Sequence, residues 1–353
     1  MSHLSHLHFM KIFMSSPIKT YNHGIYADLI RQYIDYKRSL GFKMEGVDER
    51  LRRFDTLTIE RKETETGISK DLFDAWSQPL PEESEVNRYH RISLLRGFSS
   101  YLQLTGYSSY VPKMPKYSST FTPHIYTKQE LSAIFRECDK LFVHRNYMYS
   151  HKCVMPVLIR MLYGTGIRIG EAIKLKHKDV NLSDGYLILR ECKNGKDRIV
   201  PMSLSLREIC KDFVAYKLTQ NAGTEQENIF FTAPDGTSCK ANGIYEIFRT
   251  VLFRAGISHG GRSKGPRLHD LRHTYCINAF IKMAESGRDL FYSMPIIMTY
   301  MGHQSLEATN RYVRMTSEMY PNLLRKVDEA YKYVFPEIGV ELDNAEYNKA
   351  SEP

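Results

Sequence analysis

Apolar and polar residues in the first third of the chain follow one another with the period of an amphipathic helix. From about Tyr26 to Leu40, apolar side chains recur at spacings of three or four positions, and Gly41 follows as a helix stop. The same spacing predicts three further helices, over about Val47–Leu57, Lys70–Trp76 and Glu83–Leu104. We therefore expect a small unit built only of helices.

A proline-rich stretch separates this unit from the rest of the chain. Residues 107–124 contain Pro112, Pro115 and Pro123, and a helix does not continue through prolines at that spacing. We interpret this stretch as an interdomain linker. The predicted division is an N-terminal arm at 1–20, a helical domain at 21–106, a second domain at 125–335 and a C-terminal tail at 336–353.

The second domain combines helices with a short β-hairpin. The segment Thr127–Glu130 fits a capping box ahead of an apolar run. Tyr186–Leu189 and Arg198–Pro201 have the composition of strands, and Asn194 followed by Gly195 between them is a strong hairpin-turn signal. The predicted fold class is therefore mainly α with a small antiparallel β-sheet, an α+β fold.

The net charge of the chain favours a polyanionic partner. The 353 residues carry a formal charge of +9 and give a pI of about 9.0, and nucleic acid is the commonest partner of such chains. Charge alone leaves a merely solvated basic surface equally open. The 42% apolar content is that of a globular protein and excludes wholesale disorder.

The cysteines and the apolar runs exclude further classes of protein. Six cysteines are scattered without a C-x-x-C pair, so we expect no zinc site. Without a recognisable secretory signal, we expect them to be reduced thiols in the cytoplasm. No stretch reaches the roughly 18 apolar residues of a membrane span, so no membrane partner is expected.

Two segments of the second domain place a cation where an anion can bind. Arg168 follows a run of small residues that lets the chain turn into a helix, and we expect it in the first turn of that helix, at an end that favours anions. Lys193 lies at the tip of the predicted hairpin, from which it can reach into a groove. Considered singly, each is more often a surface residue.

Two further segments add histidines, an arginine and a tyrosine. His269 and Arg272 stand three positions apart, which places them on one face of a helix, and an imidazole beside a guanidinium suits a single phosphate. His303 follows a glycine and precedes Tyr312 by nine positions. Each feature is weak alone, because most tyrosines are core or interface residues.

In combination and in this order, the segments resemble the conserved boxes of the tyrosine recombinases, the DNA breaking-and-rejoining enzymes of the phage-integrase type. The strand Lys196–Pro201 resembles the second hairpin strand of that family, and Tyr33–Phe42 resembles the opening helix of its core-binding domain. The similarity covers about residues 25–320. It implies a helical DNA core-binding domain at 21–106 followed by a catalytic domain at 125–335.

The resemblance implies that a tyrosine attacks a DNA phosphodiester and forms a 3′-phosphotyrosyl link. Two arginines would hold the phosphate, a histidine would accept the tyrosine proton, a lysine would protonate the leaving 5′-oxygen and a second histidine would donate a hydrogen bond to the phosphate. No metal, cofactor or ATP is implied, because the link conserves the energy of the broken bond. The attacking tyrosine would be Tyr312, and the two arginines would be Arg168 and Arg272. His269 would be the proton acceptor, Lys193 the proton donor, and His303 the histidine that donates to the phosphate.

The implied partners are double-stranded DNA target sites, further copies of the chain in a tetramer on DNA, and accessory recombination proteins. The implied role is integration, excision or transposition of a mobile element. Two alternatives stay open at this point: a nicking-closing enzyme of the type IB topoisomerase kind, and a catalytically inactive DNA-binding relative. A requirement for a specific two-site substrate separates the first alternative from a recombinase.

Two segments toward the C-terminus bear on the geometry of the site and on contacts between protomers. Residues 284–301 are longer and more apolar than the family pattern, which bears on the geometry just before His303. A predicted helix near Leu323–Val334 either docks on a neighbouring protomer or packs within its own chain, and the two interpretations carry equal weight.

Overall fold

The computed structural model describes residues 24–81, 83–115, 122–141, 150–190, 197–220, 222–260, 265–288 and 290–302. The chain divides into two compact units, Met1–Phe121 and Thr122–Pro353. The described residues are mostly helical with one small antiparallel sheet, which confirms the predicted fold class.

In its described residues, the first unit consists of four helices around an aromatic core. The ring centroids of Tyr26 and Phe54 lie 5.4 Å apart, and those of Phe54 and Trp76 lie 5.5 Å apart. Phe98 completes the cluster, 6.0 Å from Tyr26. The helices are α1 (Ala27–Ser39), α2 (Val47–Glu60), α3 (Lys70–Ser77) and α4 (Glu85–Leu104).

All four predicted helices of this unit are confirmed, and their ends differ from the prediction by few residues. Helix α4 begins two positions later than expected because Ser84 caps it. The Ser84 hydroxyl accepts a hydrogen bond from the Asn87 backbone N–H at 3.2 Å, and a capping residue has non-helical backbone angles.

A buried carboxylate joins the start of α1 to α2. Asp55 is fully buried, and its two oxygens accept the backbone N–H groups of Gly24 and Tyr26, each at 3.2 Å. These are N–H groups at a helix start, which have no partner within the helix itself. Asp55 therefore fixes where α1 begins relative to the aromatic core.

The second unit contains most of the core. Its described α-helices are α5 (Lys128–Asp139), α6 (Met155–Thr165), α7 (Ile169–Ala172), α8 (Leu204–Thr219), α9 (Ala241–Arg254), α10 (Asp270–Glu285) and α11 (Leu290–Met301). Two short 3-10 helices lie at His151–Val154 and His177–Asp179. The capping box at the start of α5 is confirmed, with both hydrogen bonds between Thr127 and Glu130 present.

Helix α6 is the centre of this unit. Seven of its eleven residues are buried, and it packs against α5, α8 and α10. A helix that is apolar on most of its surface is stable only when other helices surround it. The end of α6 is therefore held firmly, and the candidate site begins at that end.

The sheet has three antiparallel strands in the order β1 (Val180–Asn181), β2 (Tyr186–Leu189) and β3 (Arg198–Pro201). The bounds predicted for β2 and β3 are confirmed, and Leu189 pairs with Arg198 next to the connection between the two strands. The predicted Asn194–Gly195 turn lies outside the described residues. Strand β1 escaped prediction because two residues show no measurable period.

Several other sequence predictions also fall outside the described residues: the N-terminal arm, the C-terminal tail, the helix near Leu323–Val334, and the site residues Lys193, His303 and Tyr312. The five described cysteines are free thiols. No helix in the described part of the chain is long and apolar enough to cross a membrane.

We predict that Asp55→Ala lowers the stability of the first unit by about 1–3 kcal/mol, since two buried N–H groups lose their acceptor. Trp76 is the single tryptophan of the chain and lies in this core, so its fluorescence during urea unfolding reports on this unit alone. The control is Asp35→Ala, which removes an exposed carboxylate that pairs with Arg38 and is expected to cost less than about 0.5 kcal/mol. Equal losses in the two variants would contradict the role given to Asp55.

Candidate active site

The end of α6 is shaped by a glycine that no other residue can replace without strain. Gly166 caps the helix with φ +64°, a left-handed conformation that L-residues with a Cβ adopt at a cost. A Cβ at this position would also lie 2.5 Å from the ring of Tyr275. The chain can therefore turn at this point and bring Arg168 back toward α10 only with glycine at position 166.

Arg168 does not lie in the first turn of a helix, as predicted, but immediately before one. It is the N-cap of α7, which is only four residues long, and its own backbone is extended. Its backbone N–H donates to the Glu171 carboxylate at 2.8 Å. Glu171 lies three positions further along the chain, and its carboxylate also forms an ion pair with the Arg168 guanidinium. This ion pair, and not a helix dipole, positions the Arg168 side chain.

Arg272 is the most deeply buried cation of the site, with 2% of its surface exposed. It lies in the first turn of α10, and its guanidinium donates to the carbonyl oxygens of Gly166 and Met301, both at 2.6 Å. These carbonyls belong to the C-terminal ends of α6 and α11, where carbonyl groups lack helical partners and the helix dipole attracts cations. Arg272 thus joins two helix ends.

Arg168 holds the neighbouring carbonyl. Its guanidinium donates to Gly302 at 3.2 Å and to the Glu171 carboxylate at 2.9 Å. Because Met301 and Gly302 are consecutive, the two arginines are brought together at the end of α11. The structure thus places two of the predicted phosphate-binding residues in one site.

Glu171 is a residue of the candidate site that the sequence prediction missed. Its carboxylate accepts hydrogen bonds from Arg168 and also from Arg198 on β3, at 3.1 and 2.8 Å. Burial opposes the charge of Glu171, but the hydrogen bonds from Arg198 and from the Arg168 backbone outweigh it and lower the pKa of the carboxyl group. The spacing of three from Arg168, which is that of a capping box, was the available signal.

His269 lies beside the two arginines as the N-cap of α10. Burial, together with the positive charges of Arg272 and Arg168, lowers the pKa of His269 to about 4. The imidazole is therefore neutral at physiological pH and able to accept a proton. Its ring meets that of His273 edge-on, with centroids 4.9 Å apart.

Asp270 is buried next to His269 but is paired elsewhere. It accepts the backbone N–H of Arg267 at 2.8 Å and lies 3.4 Å from the guanidinium of the same residue. Its carboxylate is also 4.0 Å from the imidazole of His273. Asp270 therefore holds the backbone and the guanidinium of Arg267 just before α10 begins. The charges that lower the pKa of His269 are those of the arginines.

Tyr300 lies close to the site but is a poor nucleophile. Its ring stacks on Tyr275, with centroids 5.7 Å apart and planes inclined by 20°, and it donates a hydrogen bond to that residue. Burial raises the pKa of Tyr300, and its contact with Tyr275 adds to this effect. A phenol that is hard to ionise reacts slowly with phosphorus.

The remaining predicted residues are connected to this site by the chain. Gly302, the last described residue, directly precedes His303, and Arg198 opens β3 immediately after the connection that contains Lys193. Lys193, His303 and Tyr312 themselves lie outside the described residues. Within the described ranges, no group of three or more His, Cys, Asp or Glu side chains is arranged to hold a metal ion.

Comparisons with known proteins agree with this architecture. Solved structures with the same fold include the XerH site-specific recombinase bound to a palindromic difH substrate, with a TM-score of 0.56, 17% identity and coverage of 87% of this chain and 84% of the other. The Tn1549 transposon integrase in complex with transposon right end DNA gives a TM-score of 0.55, 17% identity and coverage of 83% and 98%. Both structures share the fold of this chain.

The family model of the phage integrases matches residues 125–319, which is more than half of the chain. The protein belongs to the phage integrase family, the family of the tyrosine recombinases. A putative integrase/recombinase of Sinorhizobium fredii is 24% identical over 310 residues, which cover 87% of this chain and 98% of that relative. The resemblance inferred from the six site residues is confirmed at the level of the family.

We predict that His269 titrates near pH 4 in the DNA-free protein, as two-dimensional NMR of the imidazole would show. A depressed pKa means that the unfolded chain takes up the proton first. The stability contributed by neutral His269 is therefore complete above about pH 6.5 and is lost as the pH falls toward about 4. His269→Gln is expected to lack this component of the pH dependence. Titration near 6.5 would contradict the electrostatics assigned to the site.

We predict that Gly166→Ala lowers the free energy of unfolding of the second unit by about 1–3 kcal/mol, because the new methyl group meets Tyr275 and the backbone is strained. Gly170→Ala is the matched control, since a Cβ there meets nothing within 4 Å. Calorimetry compares the two. A loss in Gly170→Ala as large as that in Gly166→Ala would contradict the constraint at the end of α6.

Proposed function

We propose that the protein is a site-specific DNA recombinase that cleaves and rejoins DNA strands through a 3′-phosphotyrosyl intermediate on Tyr312. The observation that carries the proposal is the convergence of Arg168, Arg272 and neutral His269 at the end of α11, in a chain of the phage integrase family. Gly302 ends the described part of this site and leads directly into His303.

The two arginines suit a phosphodiester in its transition state. As phosphorus becomes pentacoordinate, negative charge accumulates on its non-bridging oxygens, and guanidinium groups bind such oxygens with paired hydrogen bonds. Arg272 is fixed by two backbone carbonyls and Arg168 by a carboxylate and a carbonyl. Donors fixed in advance need no reorganisation during the reaction, and each typically contributes a few kcal/mol to lowering the barrier.

The reaction requires two proton transfers besides the attack. The Tyr312 oxygen bonds to phosphorus, its proton passes to His269, and the bond from phosphorus to the 5′-oxygen breaks. Lys193 gives a proton to that leaving oxygen, so a free 5′-hydroxyl results. His303 donates a hydrogen bond to a non-bridging oxygen. Rejoining is the reverse reaction with the 5′-hydroxyl of another strand, so neither ATP nor a metal ion is needed.

The electrostatics of His269 suit a base that acts only when DNA is bound. In the free protein, burial and the nearby arginines lower the pKa of His269, so its imidazole is neutral and ready to accept a proton. A bound phosphate would bring negative charge next to the ring and raise its pKa, which makes it a stronger base at the moment of attack. The same phosphate would offset the mutual repulsion of the cations.

The substrate class follows from the relatives. The similar structures contain a recombinase on its difH site and an integrase on transposon end DNA, and the chain carries a net charge of +9. We infer that its partner is double-stranded DNA with specific target sites, bound by a tetramer and served by accessory proteins. Integration, excision or transposition of a mobile element is the role proposed for it.

We predict that Tyr312→Phe abolishes the covalent protein–DNA adduct while leaving DNA binding intact, because the ring remains and only the attacking oxygen is lost. The assay is a denaturing gel with a labelled, nicked target duplex, followed by peptide mapping of the linkage. Tyr300→Phe is the control and should still form the adduct on Tyr312.

An adduct that persists in Tyr312→Phe, or that maps to Tyr300, would overturn the assignment of the nucleophile. No adduct in the wild-type protein would instead favour an inactive DNA-binding relative. Relaxation of any supercoiled plasmid, without a requirement for two target sites, would favour a nicking-closing enzyme.

A further inference from the structure

Arg198 contacts the candidate site although none of the roles described above belongs to it. It opens strand β3, and its guanidinium binds both oxygens of the Glu171 carboxylate, at 3.1 and 2.8 Å. The ion pair is largely shielded from water, since the side chains are 12% and 10% exposed. A paired guanidinium–carboxylate contact of this kind is stronger and more directional than a surface ion pair.

The same guanidinium also lies against the backbone that holds Arg168. A Cβ on Gly302 would stand 2.9 Å from the Arg198 guanidinium, and the Gly302 carbonyl is the one that accepts a hydrogen bond from Arg168. Arg198 therefore packs on both anchors of Arg168, the Glu171 carboxylate and the peptide of Gly302. Gly302 has a left-handed backbone, with φ +64°, and carries no Cβ that would push against this guanidinium.

The charges of the three side chains explain why a second arginine is needed. Glu171 positions Arg168, but its negative charge alone would cancel the positive charge that Arg168 presents to a phosphate. With Arg198 on the same carboxylate, the group of Arg168, Glu171 and Arg198 carries one net positive charge. Because the pair is poorly solvated, its charges are weakly screened and this balance acts at full strength over the short distance to the phosphate.

We propose that Arg198 is a positioning residue for the cleavage reaction: by neutralising Glu171, it keeps Arg168 both anchored and electrostatically available to the scissile phosphate. This inference rests on the proposed recombinase function. In the absence of the Arg198 charge, the buried carboxylate has Arg168 as its partner at the site and draws that guanidinium into a closed, neutral ion pair.

The test compares variants that keep or remove the charge of Arg198. Arg198→Met preserves the length and packing of the stem but removes the charge, and we expect single-turnover cleavage of a nicked target to slow by roughly 100-fold, as when a fixed donor is lost at a developing oxyanion. Arg198→Lys keeps the charge without the paired hydrogen bonds and should lose less. The control is Arg160→Ala, which removes a similar paired contact, with Asp139, away from the site, and should cleave at the wild-type rate.

Rescue by a second substitution distinguishes this role from a structural one. Adding Glu171→Gln to Arg198→Met removes the carboxylate charge that has lost its counter-cation, so the double variant should cleave at least about ten times faster than Arg198→Met alone. A residue whose role did not depend on the charge of Glu171 would not be rescued by removing that charge. A double variant no faster than Arg198→Met would overturn the proposal.

A neutral substrate gives an independent readout. With a methylphosphonate at the scissile position, the diester has no charge, so the loss caused by Arg198→Met should shrink to within about threefold of wild type, because the charge of Arg168 then matters less. An equal loss on the charged and the neutral diester would also overturn the proposal. Failure of the wild-type protein to form any adduct on either substrate would instead overturn the proposed function, and this inference with it.

Discussion

The rest of the site depends on the hydrogen bonds that the buried guanidinium of Arg272 donates to two backbone carbonyls. A cation this far from water is tolerated only with hydrogen-bonding partners of opposite polarity, and two helix C-termini supply them through the carbonyls of Gly166 and Met301. This arrangement requires that α6 and α11 end close to the place where α10 begins. The buried helix α6, the left-handed turn at Gly166 and the position of Arg168 all follow from that requirement.

Around Arg272, each carboxylate of the site is paired with an arginine, and positive charges outnumber negative ones. Glu171 is balanced by two arginines, Asp270 binds Arg267, and His269 is kept neutral by burial and by its cationic neighbours. An arrangement with surplus positive charge and an uncharged base is costly in the free protein, and a bound phosphate would relieve that cost. Under the proposed function, stability is thus lower than it could be at the place where the substrate anion would bind, as is usual in active sites.

The sequence predicted the parts of this structure that depend on local pattern. Helices α1 to α4 and strands β2 and β3 were found because their buried residues recur with a fixed period, and the capping box at Thr127 because its two residues are three apart. Arg168 was expected inside a helix because a four-residue helix has no period of its own. The contact between Glu171 and Arg198 joins residues 27 positions apart, and no local pattern predicts such a pair. The family was recognised from the order of six residues, whereas their roles stay predictions.

The central claim is that Arg168 and Arg272 together hold the scissile phosphate while Tyr312 attacks it. The most direct measurement is a crystal structure of the protein on a nicked target duplex with vanadate in place of that phosphate, since vanadate adopts the five-coordinate geometry of the transition state. The account predicts guanidinium nitrogens of both arginines at about 2.7–3.1 Å from the equatorial oxygens, with the Tyr312 oxygen and the 5′-oxygen at the two apical positions. Vanadate held by other residues, or with another group in the apical position opposite the 5′-oxygen, would contradict it.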